Sequence, residues 1–101
     1  MRDPLLSMLS LGRRAGAVVC GGVACEKVLR SGRALLVIVC RDASDNTRKK
    51  FEQKAHYYGV PCREGPAKDE LGRAVGKGES AVAVVTDVNF SGKILELLDN
   101  S

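Results

Sequence analysis

Two stretches of the chain are apolar at nearly every position, and they frame the rest. Leu35 to Cys40, and Ala81 to Val85 with Thr86 after them, have no polar face to turn to water. That is the pattern of strands covered on both sides, and so of a parallel or mixed sheet between helical layers. Elsewhere the apolar residues recur at helical spacing. Leu5, Leu6, Met8 and Leu9 follow an Asp3-Pro4 start, a cap and a first-turn proline, and predict a first helix from Pro4 to about Leu11 with Gly12 as its stop. Ala17 to Cys20 reads as a short strand that delivers the chain into Gly21-Gly22, and a second helix is expected from about Val23 to Ser31, closed by Gly32. Asp45 or Asn46 is placed to cap a third helix reaching Tyr58, which Gly59-Val60-Pro61 ends. Pro61 to Arg63 is a short strand at best, and Pro66 opens a fourth helix through Leu71, Ala74 and Val75 to Gly76. Beyond the polar loop Lys77 to Ser80 and the second apolar strand, Asp87 caps a last helix with Phe90, Ile94, Leu95 and Leu98. The alternation predicts an α/β protein, a three-layer α/β/α sandwich with a mixed sheet of about four strands.

Composition narrows this further. At 101 residues the chain has room for one domain, 1–101, and its 45% hydrophobic and 28% charged residues describe a folded globular protein. The longest unbroken apolar run falls far short of the ~20 residues that cross a bilayer, and the N-terminus has no signal pattern, so a soluble cytoplasmic protein is expected. Cys20, Cys25, Cys40 and Cys62 form no C-x-x-C pair and His56 stands alone, which argues against zinc. Cys20 and Cys40 lie in strand-like runs and read as reduced packing residues, although the even count leaves disulfides open.

The net charge of +4 is modest, and its distribution says more. Up to Arg33 there are six basic residues (Arg2, Arg13, Arg14, Lys27, Arg30, Arg33) against Asp3 and Glu26, whereas the stretch from Pro61 onward is net acidic. A phosphate-facing surface therefore belongs in the first half. Catalysis finds little to work with, since His56 has no nucleophile or second base at useful spacing and two tyrosines do not complete an acid/base pair. Gly12-Arg13-Arg14-Ala15-Gly16 lacks the spacing and lysine of a phosphate loop. Gly21-Gly22 is the better candidate, because backbone N–H groups at a helix start attract phosphate and glycine lets it approach. Arg13, Arg14, Lys27 and Arg30 are placed to surround such a site. Spacing alone leaves a second reading open, that of solvated charges beside a tight turn.

Taken together, several segments resemble the bacterial YlxQ-type members of the kink-turn-binding ribosomal protein superfamily. They are Arg13-Arg14-Ala15-Gly16, Gly21-Gly22, Lys27-Val28-Leu29-Arg30-Ser31-Gly32, and Leu36-Val37-Ile38-Val39 followed by Arg41-Asp42-Ala43-Ser44. Tyr58-Gly59-Val60-Pro61, Glu70-Leu71-Gly72-Arg73-Ala74-Val75-Gly76 and Val82-Ala83-Val84-Val85-Thr86-Asp87 continue the likeness over almost the whole chain. The resemblance implies an α/β/α sandwich that binds kinked RNA, with the start of the second helix entering the groove at the kink and the loop before the last strand covering an extruded base. By position those elements are Gly21 to Lys27 and Gly76 to Ala81. The expected RNA-contacting set is then Arg13, Arg14, Gly21, Gly22, Val23, Ala24, Lys27, Arg30, Arg41, Lys77, Ser80 and Ala81.

One departure matters. Where such binders carry an Asn-Glu pair to read the guanines of sheared G·A pairs, this chain has Val23-Ala24, whose side chains make no base-edge hydrogen bonds. Phosphate and shape contacts should survive while base readout weakens, or a different structured RNA motif is preferred. The expectation is a monomeric RNA-binding protein, ribosomal or ribosome-associated, with no enzymatic activity, cofactor, metal or membrane partner. The alternative is a protein-interaction adaptor on the same fold, with Val23 and Ala24 as an apolar contact.

Overall fold

The computed structural model describes residues 3–76 and 80–100. In chain order they form α1 (Pro4–Arg14), β1 (Val18–Cys20), α2 (Gly22–Arg30), β2 (Leu36–Cys40), α3 (Asp45–Tyr58), β3 (Cys62–Gly65), α4 (Lys68–Val75), β4 (Val82–Val85) and α5 (Val88–Asp99). The strands make one sheet in the order β1-β4-β2-β3. β4 runs antiparallel to both neighbours, with Val85 opposite Val18 on one side and Leu36 on the other, while β2 and β3 are parallel. The sheet is mixed, as the doubly apolar strands require.

Alternation along those strands divides the core in two. Leu36, Ile38, Cys40, Ala83 and Val85 pack with Leu9, Leu71, Val75 and Ile94 from α1, α4 and α5. Val37, Val39, Val82 and Val84 turn to the other side and meet Cys25, Val28, Leu29, Phe51 and Ala55 from α2 and α3. Large side chains buried this fully stabilise the fold by about 1.5–3 kcal/mol each. The three-layer sandwich expected from the alternation is the one observed.

Four local boundaries differ from the expectation, each for a physical reason. α1 does not stop at Gly12, which is buried inside the helix. A Cβ there would come within 2.7 Å of Val18 Cγ2 and 3.3 Å of Phe90 Cδ1, so this glycine serves close packing rather than termination. The cap of α3 is Ser44, whose hydroxyl accepts from the Thr47 N–H, and not Asp45 or Asn46. α4 begins after Pro66 and Ala67, both buried, because the Asp42 and Glu70 carboxylates take the Lys68 and Ala67 N–H groups. β3 reaches Gly65, paired to Cys40, where only Pro61 to Arg63 was expected. It is an edge strand, and its polar Arg63 and Glu64 hid it.

All four cysteines are thiols outside any disulfide, three of them buried and Cys62 partly so. Cys40 donates its thiol to the Ser80 carbonyl at 3.1 Å, and burial, with Asp42 nearby, pushes its pKa up to about 12. No helix among the described residues is long and apolar enough to cross a membrane.

Candidate nucleic-acid interface

β1, β2 and β3 point the same way, so their C-terminal ends lie together with the N-terminal end of β4. Three turns leave that end of the sheet, into α2, α3 and α4, and Ser80 and Ala81 lead into β4 there. Backbone hydrogen bonds bind these turns into one surface. Gly21 N–H donates to the Val82 carbonyl, Cys40 N–H to that of Ala81, and Arg41 N–H to that of Pro66.

At this surface the start of α2 is open. Gly21 takes φ 94° and ψ 145°, a region essentially reserved for glycine, and offers no side chain as a cap. Its carbonyl accepts the first helical bond from Cys25. The N–H groups of Gly22, Val23 and Ala24 come before that bond and have no acceptor among the described residues, as the first turn of a helix dictates. They carry the positive end of the helix dipole. A Cβ on Gly22 would meet nothing within 4 Å, and Val23 is 71% exposed. Lys27, one turn on, is exposed and has no carboxylate partner among the described residues.

The other expected residues divide. Arg41 shares this surface, yet its guanidinium is paired with Glu70 at 3.0 Å. Ser80 is buried, its hydroxyl donating to the Val82 carbonyl at 3.3 Å, and Ala81 is half-buried. Lys77 lies outside the described residues. Arg13 and Arg14 form the last turn of α1, at the opposite end of β1, and Arg13 donates to the Val18 carbonyl at 3.3 Å. Arg30 ends α2 at that same far end. The structure therefore does not gather Arg13, Arg14 and Arg30 around the glycine turn. His56 is exposed near the end of α3.

One feature missed in the sequence is the link between α2 and α3. Glu26 bridges to Lys50 across the two helices, and that hydrogen bond, helped by Lys54 and Arg30, holds its carboxyl below the ordinary range. The signal was present as Glu26-Arg30 and Lys50-Lys54 at i, i+4 spacing, without the pairing of the helices to connect them.

A sheet between two helical layers, with a glycine-opened helix start beside the return of the last strand, is the architecture of a ribosomal-protein family. Residues 4–96 match the ribosomal protein L7Ae/L30e/S12e/Gadd45 family, and the chain belongs to it. Within that family it is 42% identical over 92 residues to the RNA-binding protein YlxQ of Bacillus subtilis, covering 91% of this chain and 92% of the relative. It is 34% identical to the protein of the same name from Enterococcus faecium, over 97% of this chain and 94% of that one. Among solved structures, a Bacillus halodurans protein of unknown function superposes with a TM-score of 0.92 at 36% identity, covering 97% of this chain and 99% of that one. The Giardia lamblia 15.5kD RNA binding protein superposes with a TM-score of 0.77 at 25% identity, over 95% of this chain and 82% of that one. Membership of this family, with relatives named for RNA binding, agrees with the expectation that the chain is not an enzyme.

Proposed function

We propose that this protein binds structured RNA of the kink-turn kind, as a cytoplasmic, ribosome-associated monomer, by phosphate and shape contacts made at the start of α2. The observation that carries the reading is the trio of N–H groups at Gly22, Val23 and Ala24, which have no acceptor among the described residues and are followed by an exposed Lys27. A kinked RNA brings phosphates of two helices together, and a positive helix end with a lysine beside it lowers their repulsion. Val23 and Ala24 offer no polar side-chain atom to a base edge, so discrimination rests on the fold of the RNA more than on its sequence. The exposed Val23 favours the adaptor reading, in which the same surface holds a protein.

Titration of a sheared-G·A kink-turn RNA against a plain duplex of equal length, over a range of salt, tests this. The kink-turn should bind more tightly, with an affinity that falls steeply as salt rises. Lys27→Ala should weaken binding several-fold and lower the salt slope by about one. Equal affinity for both RNAs, or no binding at low salt, would overturn the proposal, and a salt-insensitive protein complex abolished by Val23→Asp would establish the adaptor instead.

A further inference from the structure

α2 and α3 both run away from the surface just described, side by side, and the ridge between them is basic. Lys50 and Lys54 share one flank of α3 at i, i+4 spacing, and Glu26 and Arg30 share the facing flank of α2. Glu26 is bridged to Lys50, and the positive charges of Lys54 and Arg30 also reach it. Three cations thus stand around one carboxylate, and Lys27 adds a fourth positive charge on the exposed side of α2. The next position on the Lys50 flank, seven residues along, is Tyr57. It is 81% exposed, the most solvent-open large hydrophobic among the described residues, and its ring makes an edge contact with Tyr58 at 4.9 Å. Apart from that contact the ring is largely open to solvent. An aromatic ring held open at the end of a cationic track is the arrangement that binds unpaired nucleic acid, the charges following phosphates and the ring stacking on a base.

We infer that the α2–α3 ridge is a second RNA contact, on which an unpaired segment next to the folded element lies along Lys27, Lys50 and Lys54 and stacks a base on Tyr57. The inference rests on RNA being the partner, and it extends from Lys27, shared with the start of α2, to Tyr57, about 18 Å along α3 from that helix's own start at 1.5 Å per residue. Charge complementarity selects the occupant, since a ridge this basic repels most cationic peptides and a lone exposed tyrosine is too small an apolar patch to seat a protein.

The test compares the same kink-turn RNA, blunt and with a short single-stranded uridine tail. The chain has two tyrosines and no tryptophan, so tyrosine emission reports on Tyr57 and Tyr58 alone. The tail should raise affinity about tenfold and quench that emission, Tyr57→Ala should reduce the tailed-to-blunt ratio to near one, and Tyr57→Phe should preserve it. A ratio of one in the unaltered protein, an unquenched signal, or an unchanged ratio in Tyr57→Ala would overturn the inference. If the blunt RNA fails to bind while the uridine strand alone still quenches, the kink-turn reading falls and this one stands. Loss of Tyr57 that instead abolished a protein complex and left every RNA affinity unmoved would assign the ridge to a protein and refute it.

Discussion

α2 and α4 start at the same end of the sheet, and their first turns are opposites. At α4 the Ala67, Lys68 and Glu70 N–H groups are taken by the carboxylates of Glu70, Asp42 and Asp69. At α2 the corresponding groups have no acceptor among the described residues, and a glycine stands where a capping side chain would. α1, α3 and α5 are closed too, by Asp3, Ser44 and Asp87. Helix starts are stabilised by such caps, each worth about 1 kcal/mol. Leaving α2 open costs stability and keeps a positive pole free for an external anion, while the carboxylates at α4 turn anions away.

The contrast is most directly broken by giving α2 what α4 has. Gly22 has ordinary backbone geometry and open space for a side chain, so Gly22→Asp should fold and gain a few tenths of a kcal/mol by urea denaturation. RNA affinity in filter binding should fall about thirtyfold, the equivalent of ~2 kcal/mol for reversing charge at a helix start; unchanged affinity would exclude this helix start as the contact. Opening α4 is the converse and smaller change. Glu70→Ala removes the acceptor of the Ala67 N–H and the partner of Arg41, and should lower stability by about 1 kcal/mol, with no loss of RNA binding. A midpoint that did not move would show that Asp42 and Asp69 alone close the helix.

The smallest effect concerns what holds the two starts side by side. The Cys40 thiol is bound to the Ser80 carbonyl, and its folded pKa lies above its unfolded one. Its contribution is therefore complete below the unfolded pKa and is lost as pH rises through that value towards about 12. At about pH 9 the loss should reach ~0.4 kcal/mol relative to neutral pH, and Cys40→Ala should remove that part of the pH dependence of the denaturation midpoint.

The layered fold was legible because its signal is redundant. Two doubly apolar strands, flanked by periodic segments with caps and glycine stops, admit few architectures. What stayed hidden depends on partners distant in sequence. Gly12 looks like a helix stop until Val18 and Phe90 are seen against it, and Cys62 to Gly65 looks like a loop until β2 pairs with it. The glycine turn at α2 could be read directly, since it needs only its own neighbours. The pairing of Arg41 with Glu70, the inward turn of Ser80 and the removal of Arg13, Arg14 and Arg30 to the far end follow from strand directions that composition does not encode. The tyrosine at the end of the Lys50 flank was visible only as helical spacing, because nothing in the sequence says that this flank faces α2.

The place of β4 bears on how the molecule is made. β1 and β2 never touch; the last strand of the chain lies between them and anchors Gly21 through Val82. A polypeptide leaving the ribosome N-terminus first has the sequence of α2 early but nothing to hold it until residue 85 has emerged. The turn at Gly21 is thus set only once β4 is in place, and products truncated before that strand lack its anchor.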